Sequence, residues 1–242
     1  MSVETEQIRA ICFDFGNTLV EFGPKQVAIQ YSALEQALTE LFGSCDTSRL
    51  KAIRDRQIVA PFSNGFRDND LRTISEELIR GIYDIEPEES QVETLVQVRY
   101  RSFVHAIVLP EGVLSLLNKL SERYRLGFLS NYPCGKSIRD SLQEIGLSRV
   151  FEAIVISGEE GYVKPHPKPF ESLLSQLQLS APDCAYVGDN WLADVQGAKR
   201  MGMRAILSTQ YVPYERFDPE EGDHLPDDRI GHLDELEGLL LN

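Results

Sequence analysis

The sequence predicts an α/β fold in which helices cover both faces of a parallel β-sheet. From Pro110 onward, short apolar segments alternate with helical patterns along the chain. The segments that indicate strands are Arg125–Asn131, Ala153–Ile156, Cys184–Val187 and Arg204–Leu207. This alternation is typical of βαβ units, whose right-handed crossovers place helices on the two faces of one sheet. We therefore predict a three-layer, Rossmann-like core.

The first strand of this sheet comes near the start of the chain. Ile8–Phe13 is an apolar run that ends in Asp14, and a glycine and small polar residues follow at once. The pattern indicates a buried parallel strand whose carboxyl end delivers Asp14 into a turn. Ligands of open α/β sheets bind at the carboxyl ends of strands, so Asp14 is the first candidate site residue. An aspartate after a strand is also a common turn former.

Between this strand and Pro110 the chain shows helical periodicity without a strand pattern. In the first helix, apolar residues recur at intervals of three and four from Val27 to Leu41. Further helices are predicted near residues 50–58, 71–82 and 87–103, with a Pro/Asn/Gly loop at 61–69. We predict a four-helix insertion at 23–105 and a core domain made of 1–22 and 106–242.

The composition limits the classes of partner. The chain carries a formal net charge of −14, so we expect no nucleic acid partner, which would require a basic face. No apolar run is near the length of about 18 residues that a membrane helix needs, and Met1–Gln7 lacks the apolar segment of a signal peptide. The four cysteines (Cys12, Cys45, Cys134 and Cys184) show no paired metal spacing. These features favour a cytoplasmic protein with reduced thiols.

Polar groups follow three more of the predicted strands. Ser130 and Asn131 end one strand, Lys164 lies in the loop after another, and Asp189 and Asp194 follow a third. Together with the first aspartate, this set resembles the haloacid dehalogenase-like (HAD) hydrolase superfamily. The four family motifs match, in the family's order, Asp14–Thr18, Ser130, Gly161–Phe170 and Gly188–Ala198. The resemblance covers the whole core, and the helical insertion is similar to the family's helical cap.

The carboxylates themselves suit a metal. Asp14 and Asp189, which we expect to converge at neighbouring strand ends, offer the oxygen ligands that Mg²⁺ prefers. A carboxylate can also attack phosphorus and form a covalent intermediate. Lys164 and the Ser130 hydroxyl are suited to neutralising the charge of a transferring phosphoryl group.

The resemblance implies a Mg²⁺-dependent phosphatase that acts on a small phosphorylated metabolite through an aspartyl-phosphate intermediate. It implies that Asp14 is the nucleophile, assisted by Ser130 and Lys164. It assigns the phosphate site to Gly16, Asn17, Thr18, Ser130, Asn131 and Lys164, and the metal site to Asp14, the Gly16 carbonyl, Asp189 and Asp194. Asp194 either assists the metal directly or orients Lys164 from behind it.

Each of these residues also has an ordinary structural interpretation. Asn17 and Thr18 are typical turn residues, and Ser130 can be a simple strand-end hydroxyl. Asp194 suits a helix start, where the dipole favours a negative charge, and Lys164 can be a surface charge.

One position departs from the family pattern. The phosphatases of the superfamily usually carry a second aspartate two residues after the nucleophile, and Gly16 occupies that position here. The missing carboxyl is the family's general acid, and general acid–base catalysis contributes about 10²- to 10⁴-fold. Either the substrate has a leaving group that needs little protonation, such as a sugar 1-phosphate or an acyl phosphate, or another residue supplies the acid. The candidates for that acid are Glu21, Asp68, Asp70 and His105.

Two other interpretations stay open. The dehalogenase and phosphonatase branches of the superfamily also lack that aspartate, and a catalytically weak protein that binds a metabolite or a partner fits as well. Dehalogenases of the superfamily tend to lack the Gly188-Asp189 pair, and phosphonatases use a cap lysine, for which only Lys25 and Lys51 are present in the insertion. A phosphatase is therefore the preferred prediction, and the sequence leaves open whether it is a monomer or a dimer.

Overall fold

A six-stranded parallel sheet forms the centre of the protein. The computed structural model describes residues 8–212 and 221–241, so Met1–Gln7 lies outside the described residues. The strands are β1 (Ala10–Phe13), β2 (Arg125–Ser130), β3 (Ala153–Ile156), β4 (Cys184–Gly188), β5 (Arg204–Ser208) and β6 (Asp228–Ile230). They lie in the order β3-β2-β1-β4-β5-β6, and every neighbouring pair is parallel. The predicted α/β class is confirmed.

Ten α-helices accompany the sheet in the described residues. Four lie between β1 and β2: α1 (Pro24–Phe42), α2 (Thr47–Ser63), α3 (Leu71–Tyr83) and α4 (Glu89–Ala106). The others are α5 (Val113–Ser121), α6 (Gly135–Glu144), α7 (Ser157–Glu160), α8 (Pro167–Leu177), α9 (Gly197–Met201) and α10 (Glu235–Leu240). A π-helical segment, Trp191–Gln196, leads directly into α9. No helix in this part of the chain is both long and apolar enough to cross a membrane.

Both faces of the sheet are covered, as β1 illustrates. All four of its residues are fully buried, and their side chains alternate between the two faces. Ile11 and Phe13 belong to the apolar cluster that contains residues of α5, α6 and α10, whereas Ala10 and Cys12 pack with residues of α8 and α9. These two clusters confirm the three-layer arrangement.

The helices α1–α4 share an apolar cluster of their own, which includes Leu34, Leu78 and Leu95. The loop predicted to begin at Pro61 is wrong in its first residues, because α2 continues to Ser63. Pro61 has no N–H, so α2 loses one i→i−4 hydrogen bond there, but the backbone stays helical for two further residues. The division of the chain into a core domain and a cap at 23–105 stays a prediction.

Candidate active site

The sheet order places the predicted residues at one edge. β1 lies between β2 and β4, so Asp14 after β1, Ser130 at the end of β2 and Asp189 after β4 lie at neighbouring strand ends. The Asp14 backbone N–H donates to the carbonyl of Val187 in β4 (2.9 Å), which continues the ladder beyond β1. Asp14 and Ser130 are both buried. This is the edge at which ligands of such sheets bind.

Lys164 reaches this edge from the loop after α7 and is almost completely buried, with 1% of its surface exposed. Its Nζ lies 2.7 Å from Oδ1 of Asp14 and 2.7 Å from Oδ1 of Asp194. The same atom lies 2.8 Å from the Tyr186 hydroxyl and 3.0 Å from the Leu129 carbonyl. Burial alone would lower the pKa of Lys164, but the two carboxylates outweigh it and raise that pKa. The side chain is therefore a buried cation, and the interpretation of Lys164 as a surface charge is wrong.

Two predicted residues hold this arrangement in place. The Asn131 side chain donates to the Lys164 carbonyl (3.1 Å) and accepts from the Lys164 backbone N–H (2.8 Å), so it fixes the backbone that carries the lysine. The buried Thr18 hydroxyl donates to Oδ2 of Asp14 (3.2 Å). Each oxygen of the Asp14 carboxylate thus has a hydrogen-bond donor, and its rotamer is fixed.

Asp14, Asp189 and Asp194 form a cluster in which one carboxylate oxygen of each residue lies within 4.8 Å of the others. Burial, followed by the negative charges of Asp14 and Asp194, raises the pKa of Asp189 to about 8. Burial also raises the pKa of Asp194 to about 6, although Lys164 opposes this shift. With three carboxylates against one lysine, a divalent cation would restore neutrality. The oxygen donors fit a hard cation such as Mg²⁺.

Asp194 is the member of the cluster that the chain itself engages most fully. Its Oδ1 accepts from Lys164, and its Oδ2 accepts from the Asn190 backbone N–H (2.9 Å). A Cβ on Gly188 would lie only 2.4 Å from the carboxyl carbon of Asp194, so glycine is required for this close approach. This geometry favours Asp194 as a residue that positions Lys164.

Comparison with known proteins agrees with this geometry. The sequence model of the haloacid dehalogenase-like hydrolases matches residues 11–208, which is most of the chain. The chain belongs to that family. It is therefore a hydrolase, and the resemblance inferred from the four motifs is confirmed.

Named relatives of this haloacid dehalogenase-like hydrolase include phosphatases. A glyceraldehyde 3-phosphate phosphatase of Methanopyrus kandleri is 27% identical, with 95% of each chain covered. A phosphoserine phosphatase of Thermus thermophilus is 29% identical over 89% of this chain and 77% of its own. A putative hydrolase of the family from Bacillus subtilis, solved bound to magnesium, has a TM-score of 0.71 at 22% identity, covering 97% of this chain and 99% of its own. At that identity the structure supports the fold alone.

The family's usual acid position is crowded in this hydrolase. A Cβ on Gly16 would lie 3.3 Å from Cβ of Phe22, so the phenylalanine occupies the space beside it. Asn17 adopts a left-handed backbone (φ 59°), and its Oδ1 accepts from the Phe22 backbone N–H (2.9 Å). The Asn17 side chain therefore holds the turn that brings Phe22 against Gly16.

The four candidates for a replacement acid differ in their surroundings. Asp70 caps α3, because its oxygens accept from the backbone N–H (2.9 Å) and hydroxyl (2.6 Å) of Thr73. Glu21 and His105 are exposed. Burial raises the pKa of Asp68, although hydrogen bonds from Ser157 and Asn69 oppose the shift, and its Oδ2 has no partner among the described residues.

Asp68 lies on the loop between α2 and α3, which contacts the segment before Lys164. Its backbone N–H donates to the Gly161 carbonyl (3.1 Å), and the Val163 N–H donates to the Phe66 carbonyl (2.9 Å). Of the four candidates, Asp68 is therefore the half-buried one beside the lysine loop. The insertion lysines Lys25 and Lys51 are both exposed.

Sequence reasoning missed Tyr186. This buried residue of β4 donates from its hydroxyl to the Leu129 carbonyl (3.0 Å) and accepts from Lys164. The available signal was a single hydroxyl in an otherwise apolar strand, since a buried tyrosine hydroxyl needs a partner.

Proposed function

We propose that this hydrolase is a Mg²⁺-dependent phosphatase of small phosphorylated metabolites that works through an aspartyl-phosphate on Asp14. The observation that carries the proposal is the cluster of three carboxylates around one buried lysine at the carboxyl edge of the sheet. When its three carboxylates are ionised, such a cluster is neutralised by one divalent cation, and it presents a carboxylate to an incoming phosphorus. The relatives named as phosphatases add support.

In this proposal Asp14 attacks phosphorus and forms the covalent intermediate. Thr18 and Lys164 hold its two oxygens, so the carboxylate approaches in one orientation. Lys164 and the Ser130 hydroxyl neutralise charge on the transferring phosphoryl group.

The residues that would hold the metal are Asp14, Asp189 and the Gly16 carbonyl, with Asp194 behind them as the partner of Lys164. The bound Mg²⁺ would supply further neutralisation of the phosphate oxygens. The presence of the Asp189 carboxylate does not favour the dehalogenase alternative. Lys25 and Lys51 are exposed, and they do not support phosphonatase chemistry.

The crowding of Gly16 by Phe22 favours substrates whose leaving group needs little protonation. If an acid takes part, Asp68 is the candidate that the surroundings favour. We also propose a cytoplasmic location, since free, buried Cys12 and Cys184 suit a reducing compartment.

The test is phosphate release from a panel that spans sugar 1-phosphates, sugar 6-phosphates, nucleotides, acetyl phosphate and a phosphonate, with and without Mg²⁺. We expect Mg²⁺-dependent release that Asp14→Asn abolishes and that Asp55→Asn, a change of an exposed carboxylate, leaves intact. Release that persists in EDTA, or that survives Asp14→Asn, would contradict the proposal.

A further inference from the structure

A layer of buried polar side chains crosses the helical insertion. We name it the arginine layer, and it consists of Gln30 in α1, Arg54 in α2 and Arg99 in α4, each about 8% exposed. Leu34 and Leu95, one turn away on α1 and α4, belong to the apolar cluster of the insertion. The layer therefore lies at the end of that cluster, on the faces that the helices turn toward one another.

The hydrogen bonds of the arginine layer are incomplete. Arg54 Nη2 donates to Oε1 of Gln30 (3.1 Å), and Arg99 Nη2 lies 3.5 Å from the Ile74 carbonyl. Three buried donors have no partner among the described residues: Nη1 of Arg54, Nε of Arg99 and Nε2 of Gln30. Buried donors in native structures are almost always satisfied, so each of these atoms requires an explanation.

No carboxylate balances the charges of the layer, although the Arg54 guanidinium lies over the Tyr31 ring, 4.1 Å from its centroid. Neither Arg54 nor Arg99 forms an ion pair with any described residue, although many of the ion pairs among the described residues involve arginine. The nearby acids are engaged elsewhere, because Asp55 pairs with Lys51 and Glu77 accepts from Gln57 (3.1 Å). Burial and then the charge of Arg54 lower the pKa of Arg99 to about 10. An unpaired buried charge destabilises a fold, so the layer calls for an anion.

The arginine layer lies close to the candidate active site. Gln30 is seven residues beyond Gly23, about 10 Å along α1 at 1.5 Å per residue. Arg99 is one turn before Phe103, whose ring lies 3.9 Å from the Tyr132 ring and 5.6 Å from the Phe22 ring between centroids. Tyr132 follows Ser130-Asn131, and Phe22 flanks Gly16. Contacts among these three aromatic rings therefore connect α4 with the residues that follow β1 and β2.

We propose that Arg54 and Arg99, with Gln30, bind the carboxylate of the substrate, and that the substrates are small phosphomonoesters that also carry a carboxylate. The inference rests on the proposed phosphatase function. A carboxylate has two oxygens in the plane that guanidinium forks recognise, and the layer offers it three donors that have no partner among the described residues. Because these atoms are shielded from solvent, the carboxylate reaches them when the helices of the insertion move away from the core.

The test compares esters that differ in one carboxylate: O-phosphoserine with O-phosphoethanolamine, and 3-phosphoglycerate with glycerol 3-phosphate. We expect kcat/KM to be at least about tenfold higher for the carboxylate-bearing member of each pair, as charged hydrogen bonds imply. Arg54→Gln and Arg99→Gln should remove that preference by lowering kcat/KM for the carboxylate-bearing member to the level of the other member. The exposed neighbours provide matched controls, Arg56→Gln on α2 and Arg101→Gln on α4, and these should keep the preference.

Equal turnover of the two members, or loss of preference in the controls, would overturn the inference and leave the phosphatase proposal standing. A preference for fructose 1,6-bisphosphate over fructose 6-phosphate that depends on Arg99 would overturn the inference as well. It would show that the arginine layer binds a second phosphate of the substrate instead of a carboxylate. If no ester is hydrolysed, the phosphatase proposal fails, and binding decides the inference alone. In that case 3-phosphoglycerate must raise the unfolding temperature more than glycerol 3-phosphate does, and Arg99→Gln must abolish the difference.

A second readout needs no substrate. Arg99→Met removes an unpaired buried charge, so we expect a higher unfolding temperature for the free protein. A lower unfolding temperature would show that Arg99 has a structural role and would overturn the inference.

Discussion

Two groups of buried cations in this protein, Lys164 and the pair Arg54 and Arg99, differ in how many hydrogen-bond acceptors surround them. Lys164 has four acceptors within 3.0 Å, two of them carboxylates. Arg54 and Arg99 have one acceptor each and no carboxylate among the described residues. The chain itself supplies the acceptors that surround Lys164, whereas donors of Arg54 and Arg99 have no partner among the described residues. The difference separates a centre that must be fixed before substrate arrives from a layer that substrate would complete.

The largest expected effect is that of Lys164→Met. This change leaves buried Asp14 and Asp194 without their cation, and breaking a buried ion pair costs about 3–5 kcal/mol. We expect the free energy of unfolding to fall by that amount in denaturant titrations, which is the opposite sign to Arg99→Met. Lys168→Met in the first turn of α8, where the lysine is exposed, is the control. Equal signs for Lys164→Met and Arg99→Met would remove the contrast between the two groups.

Gly188→Ala tests the packing of Lys164 with Asp14, Asp189 and Asp194, which we name the lysine cluster. The added Cβ would lie 2.4 Å from the Asp194 carboxyl, and overpacking typically costs about 1–3 kcal/mol. We expect reduced stability together with a large loss of phosphate release, because Asp194 can no longer hold Lys164. Gly65→Ala, where a Cβ meets nothing within 4 Å but the left-handed φ of 60° disfavours alanine, is a comparison that adds backbone strain without a side-chain clash. An unchanged rate in Gly188→Ala would argue against a positioning role of Asp194.

Asp189→Asn tests whether Asp189 is a metal ligand and whether its charge destabilises the metal-free protein. The folded pKa of Asp189, about 8, lies above the unfolded value of about 3.9, so its contribution to stability is full below about pH 4 and is lost as the pH rises through 8. In the absence of Mg²⁺, we therefore expect Asp189→Asn to raise the unfolding temperature at pH 8 and to have little effect at pH 4. Mg²⁺ should stabilise the wild type and not the variant. The exposed Asp234→Asn is the control, and a variant that still responds to Mg²⁺ would exclude Asp189 as a ligand.

The last prediction concerns turnover rather than stability, at the position where Phe22 lies beside Gly16. The double change Gly16→Asp with Phe22→Ala supplies the family's usual carboxyl and the space for it. We expect turnover of alkyl phosphates to rise relative to that of acetyl phosphate, by up to about 10²-fold. Phe22→Ala alone is the control. No gain would indicate that another acid already acts, and Asp68→Asn would then lower the turnover of alkyl phosphates selectively.

Much of the lysine cluster could be predicted, because strand ends and short motifs carry its residues. Asp14, Lys164, Asp189 and Asp194 each follow an element whose pattern is visible, and a parallel sheet brings such ends together. Tyr186 was missed because a hydroxyl inside an apolar strand does not reveal which group it meets. The contact between Phe22 and Gly16 depends on the turn at Asn17, which no periodicity describes.

The arginine layer was missed for a different reason. Arg99 stands at helical spacing between Leu95 and Phe103, so it lies on the apolar face of α4, yet arginines are usually assigned to the solvent side. Arg54 directly follows Ile53 in α2, and its burial was missed for the same reason. A charged residue in register with the apolar face was the available signal. Only the packing of the helices reveals that the two charges meet without a partner.

Two hydrogen bonds between the Phe66–Asp68 loop and Gly161–Val163 connect the insertion to the segment that carries Lys164. The two bonds end one residue before the lysine. If the insertion moves away from the core to admit substrate, these two bonds must break, and they form again when it returns. We therefore expect Lys164 to be held most firmly, and Asp14 to be best oriented, when the insertion covers the site and excludes bulk water.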